Sequence, residues 1–393
     1  MNNNWLLTRR GILKLGLSIF TGIGVIARYR SVYEDKQIQA LENSRRNFSV
    51  YGNASLKERA AAKGLIYGVA VKYPDIHSDG KLVASVAHEC ELVVPEWEFK
   101  WTAGNAKLRP DPEHFDFTAA DWMANFAATH NLILRGHTLV WHQSLPDWFR
   151  EIVNTKNAEQ LLTNHIQTLV KRYAGKIHSW DVVNEVIEPT DHRNDGLRIT
   201  PWLESLGPNY IDLAFRLTAA ADPQALLVYN EYGLDYDTQK DEAKRNAVLK
   251  LLERLKSQGT PIHALGIQAH LSPGDDNKFN PEKLRQFLRD VASLGLKIMI
   301  TEMDVTDQNL PLDITKRDRI VAAAYEDYLS VVLDEKAVTA VITWGLSDKY
   351  TWLNKFFPRK DGKPSRPLPL DTQMQRKLSW NAMARAFDHA LKR

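Results

Sequence analysis

Residues 177–185 read IHSWDVVNE and residues 297–304 read KIMITEMD. Each is a short run rich in apolar and β-branched residues, the composition of a β-strand. Each run also contains a glutamate at or near its end, Glu185 and Glu302. One acid finishing a strand says little, because strands commonly end in charge where the chain meets water. Two of them, far apart in sequence, gain meaning when the fold gathers strand ends in one place.

Outward from these runs the chain alternates. Strands are predicted over 65–71, 89–94, 132–141, 177–184, 225–230, 263–270, 297–303 and 339–345. Helical patterns fall near 81–88 and over 117–130, 157–173, 208–221, 239–258, 281–294, 315–335 and 374–391. Strand–helix alternation implies parallel βαβ units. Eight of them suit a single α/β domain, a (β/α)8 TIM barrel with extended loops over residues 55–393. Such barrels carry their active sites at the C-terminal strand ends, where Glu185 closes the fourth strand and Glu302 the seventh. A doubly wound open sheet calls for a Gly-rich first turn. The first strand here runs instead into Val71-Lys72-Tyr73-Pro74.

The N-terminus reads separately. Thr8-Arg9-Arg10-Gly11-Ile12-Leu13-Lys14 precedes an apolar stretch from Leu15 to Ala27, similar to a twin-arginine export signal. That stretch is too short to span a bilayer, which takes about 20 apolar residues. Residues 1–27 are therefore expected to direct export to a periplasmic or extracellular location, or to tether the protein to a membrane if uncleaved. Residues 28–54 are polar and read as a tether. Without residues 1–27 the formal charge falls from +3 to 0, a balance that favours neither nucleic acid nor an anionic membrane. The lone Cys90 rules out an intrachain disulfide and reads as a small buried residue in a barrel strand.

Paired carboxylates are the equipment of glycoside hydrolysis, which needs no cofactor and no metal. No H-x-H or H-E-x-x-H motif occurs. By strand alternation His137 and Trp141 share a face with His142 pointing away, and Gln268 shares a face with His270. Asn184 and Glu185 face opposite ways unless the strand end is bulged or already turning. Asp181 reads as a structural hydrogen-bond partner, and Trp5, Trp122 and Trp380 carry no functional reading. Lys355 to Arg366 reads as a solvated basic loop.

From Ser55 onward the chain resembles glycoside hydrolase family 10, the retaining endo-β-1,4-xylanases. The resemblance is carried by PEWEFKW (95–101), GHTLVWH (136–142), WDVVNE (180–185), YNEYGL (229–234), GIQAH (266–270), ITEMD (300–304), WGLSDKYTW (344–352) and RPLPLD (366–371). It implies that Glu185 is the general acid/base and Glu302 the nucleophile, supported by His270 and its partner Asp304. It implies sugar contacts for Asn184 and His137, with Trp141 and Gln268 beside them. Trp344 and Trp352 become aromatic walls, and Glu96 and Lys100 hold the next glycone sugar. Xylan is the implied partner, and a monomer is expected. Two positions depart from the family pattern, Trp97 where P-E-N has Asn and Ser144 where W-H-x-Q has Gln. Both touch sugar recognition. Hydrolysis of another β-1,4-glycan or an aryl β-glycoside therefore stays open, as does a non-catalytic carbohydrate-binding barrel.

Overall fold

The computed structural model describes residues 36, 38–43, 45–274 and 277–393, so residues 1–27, read above as an export signal, lie outside the described residues. Eight parallel strands close a barrel: β1 (Ile66–Val71), β2 (Leu92–Pro95), β3 (Ile133–Gly136), β4 (Ile177–Asn184), β5 (Leu226–Glu231), β6 (Ala264–Ile267), β8 (Lys297–Val305) and β9 (Val338–Thr343). The ladder runs β6-β5-β4-β3-β2-β1-β9-β8, and a β6–β8 pairing joins its ends. A two-residue strand, β7 (His270–Leu271), extends the rim by pairing with β8. Helices fill the connections, as the alternation predicts; among the described residues none is long and apolar enough to cross a membrane.

Side-chain alternation divides the core. Leu227 and Tyr229 of β5 point outward into the large cluster shared with the helices. Val228 between them joins Ala264, Met299 and Ala340, a cluster drawn from strands alone that floors the barrel. Above that floor lies a buried polar layer. The Arg135 guanidinium donates to Ser179 Oγ at 2.7 Å and pairs with Asp181, whose other oxygen meets His137 Nδ1 at 2.9 Å. Asp181 is thus the structural partner its sequence context indicates, and the buried charges satisfy each other, as burial demands.

Several strand readings overshoot. The third strand ends at Gly136, so His137 and Trp141 lie beyond the ladder and alternation does not place them. The chain there still leans on β4, with Leu139 N and Val140 N donating to the carbonyls of Asp181 and Val182. The sixth strand ends at Ile267; Ala269 takes a left-handed φ of 60° and His270 restarts as β7, so Gln268 and His270 share no continuous strand. The second begins at Leu92, because the preceding helix runs to Glu89. Cys90 caps that helix, donating its N–H to Val86 O. It is fully buried but not in a strand.

Lys355 to Arg366 is also more ordered than a solvated loop. It opens inside the helical turn Leu353–Phe356, and Arg359 is buried, donating to Leu310 O at 3.2 Å and lying 3.6 Å from the buried Asp307 carboxylate. The described part of 28–54 is seated on the barrel. Phe48 is buried, Arg46 bonds Glu326 at 2.8 Å, and Arg319 donates to the carbonyls of Asn43 and Arg46.

Candidate active site

Glu302 rises from β8 into the top of the barrel, buried and surrounded by donors. Asn230 Nδ2, at the end of β5, donates to its Oε1 at 2.7 Å. On the other side, His270 Nε2 lies 3.2 Å from Oε2 while His270 Nδ1 lies 3.0 Å from Asp304 Oδ1. β7 exists to make this contact, since it pairs His270 directly with Asp304. Burial opposes charge on the imidazole, but the two flanking carboxylates win and hold His270 well above its ordinary pKa. Burial likewise pushes Glu302 upward. The hydrogen bond from His270, then the charges of His137, His270 and Lys100, outweigh it and bring the carboxyl down to about 2. At neutral pH Glu302 is a carboxylate.

Asn230 escaped the sequence reading, although it stands inside the quoted YNEYGL. Thr301 Oγ1 donates to its Oδ1 at 2.6 Å, and Gly266 makes room for it; a Cβ there would come within 2.4 Å of the amide oxygen. The oriented NH2 then serves both Asn184 Oδ1, at 2.9 Å, and Glu302. The available signal was the Asn itself, at the end of a barrel strand. Asn230→Ala is expected to lower kcat/KM roughly 10- to 100-fold, the usual worth of a hydrogen bond to a charged group. Steady-state kinetics checks this.

Glu185 follows directly on β4. The register of β4 shifts between Asp181 and Val183, and Glu185 itself turns left-handed with φ of 58°. The strand end is therefore both bulged and turning, which lets Asn184 and Glu185 approach the same space. Trp141 Nε1 donates to Glu185 Oε2 at 2.9 Å, and Gln268 Nε2 to Oε1 at 3.1 Å. Burial, then the charge of Glu231, raise the Glu185 carboxyl; Trp141 and Gln268 only partly offset them, and Glu302 adds to the rise. The two glutamates thus shift in opposite directions for a physical reason: ion-paired donors around one, desolvation and like charge around the other.

The remaining readings fall around this pair. Trp352 Nε1 donates to Asp304 Oδ2 at 2.7 Å, and its ring lies 5.2 Å from His270. Trp344 meets His137 edge-on at 5.2 Å. Lys100 Nζ sits between two indoles, 4.9 Å from Trp141 and 5.7 Å from Trp344. Glu96 is buried near Lys72 and Lys100, and desolvation pushes its carboxyl up to about 7. His142 meets Trp141 edge-on at 5.8 Å and bonds neither glutamate. Burial, with the charges of Arg198 and Lys244, lowers it to about 4. Trp97 is half-buried, its ring against Gly104, where a Cβ would fall 2.4 Å away, and 5.1 Å from Lys72 Nζ. Ser144 turns left-handed with φ of 53°, and its carbonyl accepts Thr102 N.

Among known proteins, Endo-1,4-beta-xylanase A of Caldicellulosiruptor sp. is 34% identical over 317 residues, 76% of this chain and 44% of that protein. The chain therefore spans less than half of that relative's length. Endo-1,4-beta-xylanase B of Paenibacillus barcinonensis is 33% identical over 80% of this chain and 92% of its own. The crystal structure of xylanase 10B from Thermotoga petrophila in complex with xylobiose superposes with a TM-score of 0.76 at 31% identity, covering 86% of this chain and 99% of that one. The sequence profile of Glycosyl hydrolase family 10 matches residues 55–386, from the helix before β1 to the last helix, so the whole barrel with both glutamates falls within it and the chain belongs to that family.

Proposed function

We propose that the protein hydrolyses internal β-1,4-xylosidic linkages of xylan with retention, by double displacement. Glu302 attacks the anomeric carbon while Glu185 gives its proton to the leaving oxygen. Glu185 then takes a proton from the water that releases the sugar. The observation that carries this reading is the pair of buried carboxyls with opposite pKa shifts, joined through one relay, Glu302–Asn230–Asn184, with Glu185 at its far end. Asn184 is suited to the 2-hydroxyl of the reacting sugar, and Trp344 and Trp352 to its apolar faces. The xylanase names of the relatives and the xylobiose held by the structural neighbour support xylan as substrate.

Reducing-sugar release from glucuronoxylan is expected to exceed release from carboxymethylcellulose at least tenfold. Comparable release from both substrates would favour a broader β-1,4-glycanase, and release from neither a carbohydrate-binding barrel.

The pH profile follows from the two shifts. Glu302, depressed, is ionised above about 2 and loses its nucleophile form only as pH falls through that value. Glu185, raised, keeps its acidic proton below its elevated pKa and loses it as pH rises through it. A bell in kcat/KM is expected with a far-acid left limb and a right limb displaced above the ordinary carboxylate range. A right limb at an unperturbed glutamate value would contradict the assignment of the acid.

Trp97 is proposed to replace polar recognition of the second glycone sugar by stacking or partial blockage. Trp97→Asn should then change the cleavage positions on defined xylo-oligosaccharides, read by product chromatography; an unchanged pattern would remove Trp97 from recognition. Residues 1–27 are proposed to export the protein, and N-terminal sequencing of the exported fraction would locate any cleavage.

A further inference from the structure

Next to Glu185 lies a further acid that the proposed chemistry does not use. Glu231 ends β5 with no exposed surface, and Lys244, in the helix Gln239–Ser257, reaches its Oε1 at 2.8 Å with no exposed surface either. A fully buried ion pair is costly to assemble. This one is tied into the turn that carries the acid. Glu231 Oε2 accepts Ile187 N at 3.1 Å and the Tyr229 hydroxyl at 2.7 Å, and Oε1 accepts Tyr232 N at 3.1 Å. Ile187 is two residues past Glu185, whose own N–H donates to Asn230 O. Lys244 Nζ also lies 3.3 Å from the centre of the Tyr232 ring. The Tyr232 hydroxyl accepts Arg198 Nη2 at 2.9 Å, while Arg198 Nε donates to Glu185 O at 2.8 Å. Two routes therefore run from one buried pair to one left-handed residue.

We infer that the Glu231–Lys244 pair is a positioning device for Glu185, holding the turn that aims its carboxyl and standing behind it as a balanced charge. The inference rests on Glu185 being the acid/base. After burial, Glu231 is the largest influence raising the Glu185 carboxyl. The charged and titratable groups around Glu185 are Glu302 from β8, Glu231 from β5, Lys244 from the helix behind it, Arg198 from the loop after β4, and His142 beside Trp141. Tyr229 and Tyr210 flank Glu231 and are both held above the ordinary phenol range by burial first, so they stay neutral at working pH.

The test is the pH dependence of kcat/KM for the full chain on phenyl β-xylobioside, whose poor leaving group needs the acid's proton, with folding followed by circular dichroism. Glu185→Ala first assigns the alkaline limb, which should vanish. Glu231→Gln removes the negative charge and leaves Lys244, so the limb should move to lower pH by roughly half a unit or more. Glu231→Gln with Lys244→Met removes both charges, and the limb should return toward the parent. If Glu231→Gln does not fold, Lys244→Met alone leaves Glu231 uncompensated and should move the limb upward. A limb lost in Glu185→Ala but unmoved in the folded Glu231 or Lys244 variants overturns the inference alone. A double variant that stays with the single one overturns the charge balance and leaves a scaffold. A limb that persists in Glu185→Ala overturns the acid/base assignment and this inference with it.

Discussion

Glu302→Ala is expected to lose turnover of xylan by at least ~10⁴-fold, in line with removal of a nucleophile from a catalytic unit. KM should move far less, because in the proposed reading Glu302 lies beneath the sugar and Trp344, Trp352, Lys100 and Glu96 make the substrate contacts. The variant should stay folded: the alanine leaves Asn230 Nδ2 a second acceptor in Asn184 Oδ1, and His270 a second partner in Asp304. The space left behind admits a small anion beside the His270 imidazolium. Added azide should therefore restore part of the turnover and give a glycosyl azide of the anomer opposite to the substrate's. Azide rescue with that stereochemistry identifies the nucleophile; rescue giving the substrate's own anomer would assign Glu302 the acid's role instead.

Glu185→Ala should cost about 10²- to 10⁴-fold on xylan, the range for loss of a general acid. On an aryl glycoside with a good leaving group the first step needs no proton, so the loss in kcat/KM should be much smaller. That split between substrates is the signature of an acid. Equal losses on both would mean that Glu185 only shapes the cleft. Trp141 and Gln268 would each lose one acceptor in the variant; Trp141 is half-buried, where water can replace it, and the buried Gln268 keeps Asn184 Oδ1 at 3.4 Å.

Much of this was legible before any coordinates. Glu185, Glu302, His270, Asp304, Asn184 and the two indoles were named from motifs, and the structure brings all of them to one end of the barrel. The expectation that Asn184 and Glu185 need a bulged or turning strand end was met by a register shift and a left-handed residue together. The face arguments for His137 with Trp141, and for Gln268 with His270, failed although the residues do converge. Alternation holds only while a strand continues, and both segments leave the ladder before the residues concerned. Cys90 was misplaced for a related reason: an apolar run cannot mark where a helix stops and a strand starts. Asn230, Glu231 and Lys244 were passed over because their partners come from other strands and a distant helix.

Sequence by itself determined the barrel, because strand and helix periods are local and their eightfold alternation has one common closed solution. It also named the two carboxylates, because the chemistry needs that residue type at the strand ends. Tertiary structure alone decided which glutamate is the more acidic. Both are glutamates at strand ends, with the same ordinary pKa. His270, held by Asp304 across β7 and β8, pulls one pKa down; burial and the unexpected neighbour Glu231 push the other up. Electrostatic environment is a sum over distances in space, and no local reading of the chain contains those distances.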